Sequence, residues 1–166
     1  MARAQGIFVG LGASWIKALT EPRLQSVAER ILPPSPAQKQ EVGADPGGRP
    51  ENMPPAVLAN RTAVALGHGR LSVAQRLRAQ EAIHYGFGAG LGVVYSVAAR
   101  RWRVVSRGRG ALAGLAIYAS THASVLPALG IQRPPWRLAP AALLWESMSH
   151  VLFGTALDAL RRGVQG

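Results

Sequence analysis

Apolar residues are not spread evenly along this chain; they gather in four windows divided by segments of different character. One of them is 81–99, EAIHYGFGAGLGVVYSVAA, where nothing after Glu81 carries a full charge unless His84 is protonated. At a rise of about 1.5 Å per residue, ~18 helical residues nearly match the hydrocarbon thickness of a bilayer. The pattern predicts a glycine-rich transmembrane helix. Ser72 and Gln75 stand at capping-box spacing, so this helix is expected to start at Val73 and run unbroken into the apolar stretch.

The next window, 110–126, has 17 residues without Asp, Glu, Lys or Arg and is closed by Pro127 and Gly130. The last, 141–160, follows Pro140, which suits a first helical turn, and ends at Arg161 and Arg162. It carries Glu146, His150 and Asp158, so one side of it must face protein or water. The first window, 4–16, is uncharged but short, and reaches Leu19 if Lys17 snorkels. A cleaved signal peptide is the rival reading there; no small-x-small site follows, and Trp15 with Lys17 suits an interfacial anchor. The expectation is an all-α integral membrane protein with about four transmembrane helices. A first span covers 1–20, an extramembrane segment 21–79, and a three-span bundle 80–166. Beyond Pro22, Leu24, Val27, Ala28, Ile31 and Leu32 recur at helical spacing and predict an amphipathic surface helix. Residues 33–55 hold seven prolines and three glycines and predict a flexible loop. A short helix is expected over 56–66.

Composition refines this picture. The hydrophobic content is only 48%, because the polar 33–55 insert dilutes the apolar windows. A net charge of +11 would suit nucleic acid, whose counterions a basic protein displaces. The Arg residues form no such stripe: Arg100, Arg101, Arg103, Arg107, Arg109, Arg161 and Arg162 stand just outside the windows, as membrane-flanking cations do. The expected partners are therefore the bilayer with its anionic lipids, and a membrane-protein partner or second copy, with no nucleic acid. Residues 100–109 hold five Arg, against two in the connector after the third span. That asymmetry places the Arg-rich loop and both termini in the cytoplasm, although Arg76 and Arg78 pull the other way. The lack of cysteine excludes disulfides, thiolate nucleophiles and cysteine-ligated metals.

At 100° per residue, Glu81, His84, Gly88, Gly92 and Tyr95 share one face of the glycine-rich helix, with Gly86 and Gly90 roughly opposite. Two small-xxx-small faces admit two close neighbours, which makes this the expected central helix. The glycines are not a dinucleotide fingerprint, because the third glycine and the preceding strand are missing. In the following span Gly110, Gly114, Tyr118 and His122 recur at i+4; in the last, Glu146, His150, Gly154 and Asp158 do the same. Counted from the helix ends, His84, His122 and Glu146 lie ~6–9 Å deep and His150 ~15 Å. An intramembrane polar layer of Glu81, His84, Tyr118, His122, Glu146 and His150 is expected. It fits interhelical hydrogen bonding first. Ion or proton handling is the second reading, since burial poises Glu and His for exchange. A metal or haem site is the third, with Glu81 and His84 matching a single E-x-x-H. No nucleophile, base and orienter come together, so no catalytic residue and no cofactor is assigned.

IHYGFGAGLGVVYS, VLPALGIQRPPW and ESMSHVLFGTALDALRR resemble the YagU-like family, small bacterial inner-membrane proteins built around a domain of unknown function. The likeness runs from about residue 72 and includes the glycine-bearing first window, but not the 33–55 insert. By this resemblance His84 with its glycines and His150 with Gly154 fall on recurring positions. It implies a helical protein of the bacterial inner membrane and no established activity.

Overall fold

In the computed structural model, which describes residues 2–165, the first apolar window and the amphipathic run beyond Pro22 form one helix, α1 (Ala2–Ile31). Proline removes a backbone donor and crowds the carbonyl four residues back, so Pro22 by itself favours a break. Side chains hold the turn instead. Thr20 Oγ1 donates to the Ile16 and Lys17 carbonyls at 2.9 and 3.0 Å, and Lys17 pairs with Glu21. Beyond the proline, Leu24 and Ala28 pack on Ala141 and Trp145, so tertiary contact continues the helix that local chemistry would end.

The remaining helices follow their local signals. Helix α2 (Pro54–Ala65) begins on two prolines, and α3 (Val73–Arg101) on the capping box of Ser72 and Gln75. Helix α4 begins at Ala111, is regular through Ser120, widens into a π turn over Thr121–Val125 and closes with Leu126–Ala128. The widening precedes Pro127, whose ring would strike the Ala123 carbonyl in a regular helix. Thr121 and Ser124 hydroxyls donate to the Ile117 and Ala119 carbonyls, each at 2.7 Å. Helix α5 is Pro140–Gln165. There is no strand among the described residues, in agreement with the all-α expectation.

The segment expected to be a flexible loop, 33–55, contains a capped helical turn, Pro36–Lys39, and a 3-10 turn, Pro50–Asn52. Its anchor is Gln25 on α1. The buried Gln25 amide donates to Asp45 at 2.6 Å and to Glu29 at 2.7 Å, and its oxygen accepts from the Gly47 N–H at 3.1 Å. Lys39 bonds to Glu29 at 2.8 Å, and that hydrogen bond raises the Lys39 pKa above its ordinary value. The prolines fix dihedrals; α1 supplies the polar partners that turn composition does not reveal.

Helices α3 and α5 both pack on α1, α4 packs on α5, and α3 scarcely meets α5. The central helix is therefore α1, not the glycine-rich α3. Of the two glycine faces of α3, only one has a neighbour. A Cβ on Gly10 would lie 2.1 Å from the Gly88 carbonyl oxygen, and one on Gly92 would lie 2.3 Å from that of Gly6. Gly86 and Gly90 are exposed, with no atom within 4 Å of where a Cβ would stand. The second pair repeats the device: a Cβ on Gly114 would meet the His150 carbonyl at 2.1 Å, and one on Gly110 that of Gly154 at 2.1 Å. Successive long helices run antiparallel. Around these contacts Val9, Ala13, Tyr95, Phe153 and Leu157 form the core.

Two segments, Val73–Arg101 and Arg103–Ala128, are long and apolar enough to cross a membrane. The other two expected spans are helical but more polar. Gln5 and Lys17 dilute α1, and Glu146, His150 and Asp158 dilute α5.

The glycine contacts predict opposite outcomes for the same substitution on two faces of α3 and its partner. Gly10→Ala should lower stability by about 1–3 kcal/mol, because backbone atoms must separate. Gly90→Ala should leave it unchanged or raise it by up to about 1 kcal/mol, since alanine loses less entropy in a helix. Unfolding in detergent compares the two; an equal loss would remove the distinction between the faces.

Candidate functional site

Because α3 and α4 lean on different members of the central α1/α5 pair, a cleft of about 260 Å³ remains between them. Ser14, Lys17, His150 and Phe153 form its back. Ile83, His84, Phe87 and Leu91 make one wall, Ile117, Thr121, His122, Val125 and Leu126 the other, and Pro54, Pro55 and Leu58 of α2 close the end. Most of the lining is apolar, with Ser14, Lys17, Thr121 and the three histidines as its polar groups.

Five residues of the expected layer, His84, Tyr118, His122, Glu146 and His150, come together here. The His84 Nε2–H donates to the Ser14 carbonyl at 3.2 Å, tying α3 to α1. The His150 Nδ1–H donates to the Glu146 carbonyl at 2.8 Å. Glu146 is fully buried; its Oε1 accepts from His122 Nδ1 and Gln132 Nε2, each at 2.7 Å. The His122 and His150 ring centroids are 4.7 Å apart, and the Tyr118 ring stacks on His122 at 5.9 Å and leans on His150 at 5.5 Å. The Tyr118 hydroxyl and Glu146 Oε2 are buried with no hydrogen-bond partner among the described residues.

Glu81 is not part of this layer. It is exposed, one turn nearer the helix start, and lines a second hollow together with Pro46, Gln80 and His84. Among the described residues no three of His, Asp and Glu stand close enough to share a metal ion. Of the glycines singled out for packing, Gly88, Gly92, Gly110, Gly114 and Gly154 lie at helix contacts, while Gly86 and Gly90 do not. Asp158 is buried at the opposite end of the bundle, bonded to the Tyr95 hydroxyl at 2.9 Å and to Arg161 and Arg162.

Three members of the site were not anticipated as such. Lys17 does not snorkel: it is 9% exposed and paired with Glu21, which also accepts a 3.3 Å bond from Ser149. The i,i+4 spacing of Lys17 and Glu21 was the available signal. Ser14 offers a buried hydroxyl with no hydrogen-bond partner among the described residues. Gln132 sits in the connector after α4, where only the fold brings it to Glu146.

The family described as "Protein of unknown function (DUF1440)" matches residues 24–159. The chain belongs to that family. No curated protein and no solved structure matches it. The DUF1440 match includes the proline-rich 33–55 segment and every residue of the layer, and begins beyond the glycine half of α1 that supplies Ser14 and Lys17. In this DUF1440 chain the layer can share a proton between His122 and Glu146 and accept hydrogen bonds on the histidine nitrogens that the protein leaves unused.

Glu146 is the member whose loss should matter most for stability. Glu146→Ala leaves the Gln132 amide N–H facing no acceptor, while His122 Nδ1 keeps the Gln132 oxygen at 2.9 Å, and should cost about 3 kcal/mol. Glu146→Gln keeps one oxygen in place and should cost about 1 kcal/mol. Denaturant titration of the purified protein checks the order; equal losses would mean that volume, not hydrogen bonding, sets the cost.

Proposed function

We propose that this DUF1440 chain is a multi-pass integral membrane protein crossing the bacterial inner membrane four times, and that it serves as a structural or interaction component there. The observation that carries the reading is the inverted polarity of the bundle. Glycine, serine, histidine and glutamate face inward, while Ile7, Phe8, Trp15 and Leu19 of α1, Val94 and Val97 of α3, Leu112 and Leu115 of α4, and Leu143 and Leu144 of α5 are exposed. The most apolar windows of Val73–Arg101 and Arg103–Ala128 are only 22% and 11% buried. A core helix of a soluble protein hides such a face; here hydrocarbon is its natural solvent.

The antiparallel order brings Arg100, Arg101, Arg103, Arg107, Arg109, Arg161 and Arg162 to the bundle end where α1 begins. Positive charge concentrates on cytoplasmic loops, which orients that end, with both termini, toward the cytoplasm and its anionic lipids. The resemblance to the YagU-like family implies the same placement. The open Gly86 and Gly90 face of α3 is the surface on which a second copy or a partner helix would pack, since small residues permit close backbone approach.

Three experiments test the reading. After alkaline carbonate washing the chain should stay with the membrane pellet, and a reporter fused to its C-terminus should report cytoplasm; release into the wash, or a periplasmic signal, would count against it. Cross-linking in intact membranes should capture an adduct that Gly86→Leu with Gly90→Leu abolishes. An unchanged pattern would move the contact elsewhere.

A further inference from the structure

We propose that the cleft between α3 and α4 binds a membrane-soluble molecule whose polar head is an uncharged O–H donor on an apolar body. This rests on the membrane placement argued above, which lets a ligand enter laterally from the bilayer past the exposed rim of Phe87, Val125 and Leu129.

The hydrogen-bond directions select the head. A carbonyl oxygen can only accept, so the nitrogens that meet the Ser14 and Glu146 carbonyls, His84 Nε2 and His150 Nδ1, carry their protons there. His122 turns Nδ1 to the Glu146 carboxylate. In each neutral ring the other nitrogen is then an acceptor. His84 Nδ1, His122 Nε2 and His150 Nε2 make no hydrogen bond within the described residues, and all three rings line one cavity. The buried Ser14 hydroxyl, also without a partner there, adds a group able to accept or donate. Lys17, which lines the same cleft, keeps N–H groups beyond the one it gives Glu21, but these are fewer than the histidine and serine acceptors, so the cleft presents acceptors in excess. A hydroxyl supplies the missing donor, and an ether or ester oxygen does not.

Charge selects against an ion. Lys17 is matched by Glu21, and Glu146 is buried behind His122 and Gln132 and does not line the cleft, so neither an anion nor a cation finds an unmatched partner there. Size fits a head with part of a chain. At ~30 Å³ for a water-sized group, 260 Å³ holds about nine such groups, with the remainder of the molecule among the lipids. Long-chain alcohols, protonated fatty acids and alkyl hydroquinones share this chemistry.

The test uses the full chain in nanodiscs and a diazirine-bearing dodecanol, compared with its methyl ether. The alcohol should label residues of the cleft at least about fivefold more than the ether, the ratio expected from one hydrogen bond. Competition by unlabelled dodecanol, dodecanoic acid or decyl hydroquinone then separates the three sources. His150→Phe should reduce the preference for the alcohol, and Leu91→Trp, which fills the cleft without touching a polar group, should abolish labelling by both probes. Equal labelling by alcohol and ether, labelling insensitive to Leu91→Trp, or preference for the dodecanoate anion at high pH would each overturn the proposal. Failure of the chain to enter nanodiscs would overturn the membrane placement first, and is seen before any probe is added.

Discussion

Where α1 crosses α3, the two backbones approach so closely that no side chain could stand between them. A Cβ on Gly10 would fall 2.1 Å from the Gly88 carbonyl oxygen, and one on Gly88 would fall 1.8 Å from Ser14 Oγ. The same constraint joins α4 to α5 through Gly110, Gly114 and Gly154. Close approach maximises dispersion contact between helices when their outer faces offer no hydrophobic drive to associate. It also fixes axial register, because a glycine on one helix must meet a carbonyl on the other, and a shift of one residue would turn the stripe away. Everything polar in the bundle depends on that register.

The cleft is a direct consequence. Two tightly zipped pairs, α1 with α3 and α4 with α5, meet through α1 and α5. The outer helices are then held by glycine contacts on their inner sides and cannot close on each other. Near the α2 end of each pair the glycine stripe gives way to larger polar groups, Ser14 and His84 in one, Tyr118, His122 and His150 in the other. The gap lies where these side chains replace glycine, so polar groups line a space instead of being sealed in a core.

Local signals made much of this legible. Ser72 with Gln75, Pro140 and the Pro127–Gly130 pair mark helix limits by chemistry that acts within one turn, and the structure follows them. The histidine stripe was legible as well, since i+4 spacing fixes which residues share a face. What composition could not reveal was which face meets which. Gly86 and Gly90 are as regular as Gly88 and Gly92, yet only the latter pair finds a complementary stripe, on α1. Glu81 looked equivalent to His84 by spacing, but lies beyond the crossing point. Gln132 and Lys17 became part of the site through tertiary placement, and Pro22 failed to end a helix because contacts from α5 continue it.

The layer also shows how ionisable groups can sit inside such a bundle. An unpaired buried ion costs several kcal/mol, so each charge needs its opposite at the same level. Glu21 stands one turn from Lys17, and His122 with Gln132 converges on Glu146. His84 and His150 place their ring protons on main-chain carbonyls and need no counter-charge. At the other end Asp158 is matched in the same way by Arg161, Arg162 and Tyr95. Between these two levels the buried contacts are glycine and hydrocarbon. Of these two levels the one near α2 lines a cavity, and its surplus of acceptors, not net charge, gives that level its chemical character.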